Sequence, residues 1–464
     1  MSVFAIRDYR YLFTAQIIAL FGTGLATVAL GLLAYELAGP DAGRVLGTAL
    51  TIKMVLYVLI APVAAAFVDR LPRKAFMAAL DLARAAVVLT LPFVTEVWQV
   101  YVLVGVLQSA SAAFTPTFQA LIPEIVTDES DYTRALSASQ VAYTMESLLS
   151  PVLAALALGL ISFNWLFVGT SLGFVVSSAL VLATRIPNAR PAARGSAWQR
   201  VTSGVKVFVA VPQLRGVAAL NLAVASAGAI VVVNTVNYVR DVLGGNASDV
   251  AWMLATSGGG TLVVALGLPR VLDRVPERTV MISGALVLIA AVSGAVTLAT
   301  LDAKTYVATG AMWVLVGAGM ALVVTPTGRV LRRSSPSEQL PEVFAAQFSL
   351  SHVAWLVTYP IAGWMSGPAG LTLTWSVLLA LTVLGTVAAL AAWPTRLDRL
   401  AAPDDTEPGS SHQLPTTPRE SALAGATAGR VDRPATSVTD LNDQAAHQAE
   451  GTLAACTCGC PRAL

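Results

Sequence analysis

Apolar runs of about twenty residues recur along nearly the whole of this chain, separated by short loops in which arginines collect. Inside a bilayer each backbone amide and carbonyl must find its partner within the segment, so runs of that length imply membrane-crossing helices. Twelve are expected, over residues 11–38, 44–67, 75–94, 98–121, 138–160, 163–183, 214–239, 248–268, 279–300, 305–327, 342–364 and 371–393. The balance agrees: 56% of residues are hydrophobic and 12% charged, where soluble chains carry about one quarter charged residues.

The first run follows RDYRYLF and has no small-residue cleavage site after a short core, which predicts a retained helix rather than a removable signal. Of the 29 Lys and Arg, twenty fall at the amino end, in the even-to-odd loops and just after the twelfth run. Arg44, Arg240 and Lys304 fall on the other side. The positive-inside rule then places both termini in the cytoplasm of a multi-pass protein of the cell membrane. A net charge of +2 gives no reason to expect a nucleic-acid partner. The expected partners are the lipid bilayer and a small solute or metal-ion cargo, with a monomer favoured. The three cysteines, Cys456, Cys458 and Cys460 in CTCGC, then face a reducing compartment and are expected as thiols.

The chain repeats itself. FVDRLPRK at 67–74 returns as VLDRVPER at 271–278, so that Asp69 and Arg70 correspond to Asp273 and Arg274 at an offset of 204. TPT at 115–117 returns at 325–327, and Gln140 and Gln347 enter the fifth run of each half. Ordered landmarks at near-constant offset predict a duplicated six-helix unit with its substrate path at the interface between halves. The expected organisation is a first bundle over 1–183, a cytoplasmic linker over 184–213, a second bundle over 214–395, and a disordered cytoplasmic tail with the Cys cluster over 396–464.

These residues resemble the major facilitator superfamily over 1 to about 395. The family's loop motif Gly-x-x-x-Asp-Arg-x-Gly-Arg-Lys is matched at Asp69, Arg70, Arg73 and Lys74, with Ala65 and Pro72 in the glycine places. The exporters' opening pattern is approximated by Tyr9, Arg10, Leu12, Phe13 and Gln16, and Ser150, Pro151, Ala154 and Ala155 keep the small and bending positions of their fifth-helix motif. The resemblance implies an all-α polytopic fold of twelve transmembrane helices in two pseudo-symmetric six-helix bundles, and secondary active transport. It also implies a conformational latch formed by Asp69, Arg70, Arg73, Lys74, Asp273 and Arg274. The stretch from TPTGRVLRRS to the eleventh run is similar to the nickel-resistance exporters of that superfamily.

Ionisable residues inside the hydrocarbon layer carry the functional reading, because burying a charge costs several kcal/mol unless it is paired, wet or protonated. Glu146 and His352 lie at similar depth in corresponding helices, at an offset of 206, and Lys53 lies in the second run. The expectation is that Glu146 and His352, with Lys53, mediate transport and proton coupling. Tyr143, Ser351, Trp355, Tyr359, Gln108 and Asn234 are candidates for the substrate path, although for either amide the favoured role is to join helices by hydrogen bonds. Asp81 and Arg84, at i and i+3, are expected as a structural pair.

A carboxylate and an imidazole exchange protons and, when deprotonated, bind transition metals. The favoured expectation is therefore proton-coupled efflux, without a cofactor, of a divalent metal such as nickel or cobalt. His352 and Glu146 would be its ligands, with Cys456, Cys458 and Cys460 as a capture site. The alternative is a proton-coupled exporter of amphipathic drugs or a siderophore. A third reading is a non-transporting sensor or scaffold. No nucleophile with a base and no phosphate-cradling loop appears, so no enzyme is expected.

Overall fold

A computed structural model describes residues 3–67, 72–126, 128–185, 197–301, 305–336, 339–367 and 370–394. The described residues form helices joined by short turns, with no strand among them. The first half contains α1 (Arg7–Ala38), α2 (Ala42–Phe67), α3 (Arg73–Thr90), α4 (Val97–Ile125), α5 (Glu129–Leu158) and α6 (Asn164–Ala183). The expected linker contains a helix of its own, α7 (Ala197–Ala210). The seventh crossing is composite: α8 (Pro212–Ala229), a π-helical turn at Ile230–Asn234, the short α9 (Thr235–Asn237) and a second π turn at Tyr238–Val242. It is followed by α10 (Ala247–Leu272), α11 (Glu277–Thr300), α12 (Tyr306–Arg333), α13 (Leu340–Trp364) and α14 (Gly370–Ala392).

Among the described residues, nine segments are long and apolar enough to cross a membrane, the first of which, Arg7–Ile60, runs through both α1 and α2. Helices α5 and α13 are not among them. Asp131, Arg134 and Glu146 interrupt the apolar sequence of the first, of which Leu149–Leu158 is the apolar part, and Gln347, His352 and Pro360 interrupt that of the second. The remaining helices bury one side against their neighbours and leave large apolar residues such as Leu172, Val263 and Val307 exposed. That is the pattern of a protein whose outer solvent is hydrocarbon.

The two halves share one packing plan. In the first, α1 packs on α5 and α6, α3 on α4 and α6, and α2 on α4. In the second, α8 packs on α13 and α14, α11 on α12 and α14, and α10 on α12. Each pairing in one half has its counterpart six crossings later. The halves meet along two seams, α2 against α13 and α5 against α10.

Local sequence explains the seams. Gly47 of α2 and Gly363 of α13 lie backbone to backbone, so a β-carbon on either would strike the other helix. Such small-residue contacts allow close approach where apolar attraction between helices is weak. Gly39 turns the chain between α1 and α2 with φ 52°, a conformation natural to glycine.

Hydrogen bonds between the halves gather at the end that carries the α1–α2 turn, here the far end. Asn237 Nδ2 donates to Pro40 O at 2.8 Å, Trp364 Nε1 to Thr48 Oγ1 at 2.9 Å, and Tyr35 Oη to Asp241 Oδ1. Arg240 covers the Tyr35 ring at 4.8 Å. At the opposite end, the ties shown by described residues remain within a half. Lys74 Nζ donates to Thr184 O at 2.9 Å, and Arg329 Nε and Arg333 Nη1 reach Glu277 at 3.1 and 2.8 Å.

Candidate functional site

Lys53 and Tyr57 are one helical turn apart on α2, and Phe348 and His352 one turn apart on α13. The α2–α13 seam brings these pairs together. The Tyr57 and His352 rings stack with centroids 5.5 Å apart and planes 8° apart, and Phe348 closes on His352 at 4.0 Å. Lys53 Nζ lies 5.8 Å from the Tyr57 ring centre. The His352 imidazole is thus held in an aromatic bracket contributed by both halves.

One nitrogen of that imidazole is occupied. Nδ1 lies 2.7 Å from Phe348 O. A carbonyl only accepts, so Nδ1 carries the proton and Nε2 is left with a lone pair in the neutral ring.

Glu146 reaches the cluster from α5. Its carboxylate and the Lys53 ammonium act on one another as opposite charges, and Lys53 also acts on His352. Each of the three is surrounded by protein, yet each keeps part of its surface open. Gly24 of α1 makes room for the acid: a β-carbon there would collide with Ser150 and crowd Glu146 Oε1. Lys53 is therefore the electrostatic link between an acid on α5 and an imidazole across the seam.

The other expected residues divide by placement. Trp355 and Tyr359 pack ring to ring at 4.9 Å, and Trp355 sits against Gly228 of α8 in its own half. Ser351 Oγ donates to Phe348 O at 2.8 Å, which commits its proton to its own helix. Asn234 is fully buried as a brace, donating to Ala362 O at 2.9 Å and accepting from Trp375 Nε1 at 3.1 Å. Gln108 is buried in α4, away from these contacts, with its Oε1 unpartnered. The Tyr143 side chain, Asp69, Arg70 and the three cysteines lie outside the described residues.

Among the expected latch residues that are described, Arg73 is buried while Asp273 and Arg274 are exposed. Glu277, with Arg329 and Arg333, forms the acid-and-base cluster at that position of the second half. Asp81 and Arg84 pair as expected, with Ser177 Oγ donating to Asp81 at 2.7 Å and the guanidinium between Phe114 and Phe174 at 4.3 and 4.5 Å.

Tyr57, Phe348 and Gly24 were not anticipated. The first two carried a readable signal, since each lies four residues from an intramembrane ionisable group on the same helix face. Gly24 carried none, because its role depends on a neighbour more than one hundred residues away in sequence.

The sequence pattern described as Major Facilitator Superfamily matches residues 12–238 and 216–428. The chain belongs to the major facilitator superfamily. It is a multi-pass membrane transporter, not an enzyme, and its duplicated packing is that family's fold. It is 23% identical over 339 residues to the uncharacterized MFS-type transporter YfiS of Bacillus subtilis, covering 70% of this chain and 79% of that one. It is 32% identical over 152 residues to macrolide efflux protein A of Enterococcus faecalis, covering 31% of this chain and 47% of the relative. The chain thus spans about half the length of that relative. Among solved structures, an inward-facing, unoccupied bacterial homolog of the human lysosomal transporter Spinster superposes with TM-score 0.64 at 14% identity, covering 84% of this chain and 98% of that one. The nucleoside transporter NupG superposes with TM-score 0.64 at 12% identity, covering 82% and 99%. At these identities the likeness establishes the fold alone.

Proposed function

We propose that this facilitator exports an amphipathic organic solute in exchange for protons. The observation that carries the reading is the position of Lys53, which acts on both Glu146 and His352 beside the aromatic bracket. Protonating Glu146 removes the counter-charge of Lys53. Protonating His352 at Nε2 sets two cations facing one another across the α2–α13 seam. The first leaves a partly desolvated ammonium without its counter-charge and the second sets like charges together, so each makes the closed site less favourable. A proton is thereby converted into a bias on the interface that must open and close.

The same lysine argues against a divalent metal as cargo. A metal held by Glu146 and His352 would sit beside a fixed ammonium that competes for the carboxylate. Among the described residues, no group of three or more His, Cys, Asp or Glu is placed to hold a metal ion. An organic solute needs an apolar wall with a few polar groups, and Tyr57, Phe348 and His352 supply it with Lys53 and Glu146 as the polar groups. The macrolide efflux relatives support the same cargo class and direction.

The excess of Lys and Arg on the termini side supports a cytoplasmic location for both ends. With that orientation the joined far end faces outside, and this conformation is the one in which solute enters from the cytoplasm. Residues 72–74 and 271–278 then lie at the cytoplasmic face, where charged clusters act as latches between states.

Inside-out vesicles containing the protein provide the test. An acid-inside gradient is expected to drive uptake of a macrolide or an aromatic dye, and Glu146→Gln is expected to abolish it. Gradient-driven uptake of Ni2+ or Co2+ with no movement of either organic probe would overturn the cargo reading.

A further inference from the structure

Apart from the charged cluster, the first half holds a partly open cavity of about 20 Å3, between Thr23 and Thr27 of α1 and Gln108 and Ser111 of α4. That is room for about one water-sized sphere. Its apolar walls include Leu107 and Phe174.

The three hydroxyls share one chemical character. Thr23 Oγ1 donates to Ala19 O at 2.9 Å, Thr27 Oγ1 to Thr23 O at 2.9 Å, and Ser111 Oγ to Leu107 O at 3.0 Å. With those protons committed to the helix backbone, each hydroxyl has only lone pairs to offer a guest. Gln108 is 6% exposed, and its Oε1 has no partner. A buried carbonyl without a protein partner calls for an explanation, such as a bound water or ion.

We propose that this cavity binds a single alkali-metal cation through Thr23, Thr27, Gln108 and Ser111. Against four acceptor oxygens, only the Gln108 amide hydrogens could serve an anion. An apolar guest would leave Gln108 unsatisfied. A water molecule has two protons for four acceptors, whereas a cation draws on all four at once. The oxygens are neutral, which suits one charge rather than two, since sites for divalent cations are built from carboxylates. The nearby guanidinium of Arg84, over the Phe174 ring at 4.5 Å, is already matched by Asp81. The site shares no residue with the Lys53 cluster, and the proposal stands whichever solute is transported.

The test needs no cargo. The purified full-length chain is heated in detergent in NaCl, KCl or choline chloride at constant ionic strength. A saturable rise of the unfolding midpoint with sodium or potassium over choline is expected, and the size of each response identifies the preferred ion. Gln108→Leu should lose the response, and Thr27→Val should weaken it. Gln108→Glu, which adds a charge at the same place, should lower the half-saturating concentration roughly tenfold. If Gln108→Leu does not fold, the glutamate variant still decides. Identical midpoints in the three salts would overturn the proposal and leave the cavity to water; so would a glutamate variant with unchanged ion affinity.

Discussion

Lys53 has a part in the cluster that neither Glu146 nor His352 can supply, because it faces an acid within its own half and an imidazole in the other. Replacing it with methionine preserves much of the side-chain length and removes the charge. Gradient-driven flux in vesicles is expected to fall at least tenfold, with protein abundance near wild type; unchanged flux would remove the link. Elsewhere, Arg84→Leu should destabilise the fold by about 3–5 kcal/mol, since it leaves the fully buried Asp81 without its cation. Asp81→Asn combined with Arg84→Leu should be less damaging than Arg84→Leu alone, as measured by thermal unfolding in detergent. The ionisable residues were legible in the sequence because each is costly in a bilayer, and Asp81–Arg84 because its spacing fixes its partner. The bracket around His352 was less so. Nothing local to Tyr57 or Phe348 states that α2 and α13 lie face to face.

Helix boundaries were legible wherever apolar runs end in loops and obscure where polar residues continue the helix. The fifth crossing begins at Glu129, nine residues before the apolar run expected from 138, because Asp128 caps it by accepting from Asp131 N at 3.0 Å. Helix α7 was hidden within a linker rich in proline and small residues. It packs on α13, where Gly204 lies against the backbone of Glu342. The π turns of the seventh crossing had no sequence signature, yet they lead into Asn237 and Asp241, which join the halves. Close approach of Gly47 and Gly363 predicts a mutant with a clear direction. Gly47→Leu should hold the far end apart, which is detectable as increased labelling of a cysteine placed at Thr48 by a membrane-impermeant thiol reagent. Gly24→Val should instead leave that end closed and impair flux, because it displaces Ser150 and crowds Glu146.

The duplication read from Asp-Arg, TPT and Gln landmarks corresponds, in the whole molecule, to five helix pairings that recur between halves. Cargo was not legible in the same way, since two ligand-type residues at matching depth say nothing of what stands between them. The charge of Lys53, which acts on both, supports the proposed organic solute over a metal ion. Residues 400–464, with the CTCGC cluster, lie beyond the helices that carry this mechanism. Their removal is expected to leave flux of an organic probe within about twofold of the full chain, assayed in the same vesicles. The most direct measurement is proton movement on adding cargo to sealed vesicles with no imposed gradient, followed by an entrapped pH dye. The account predicts that a macrolide or aromatic dye moves protons in the wild type but not in Glu146→Gln, and that Ni2+ moves none. Proton movement evoked by Ni2+ and absent with the organic probes, or undiminished in Glu146→Gln, would contradict it.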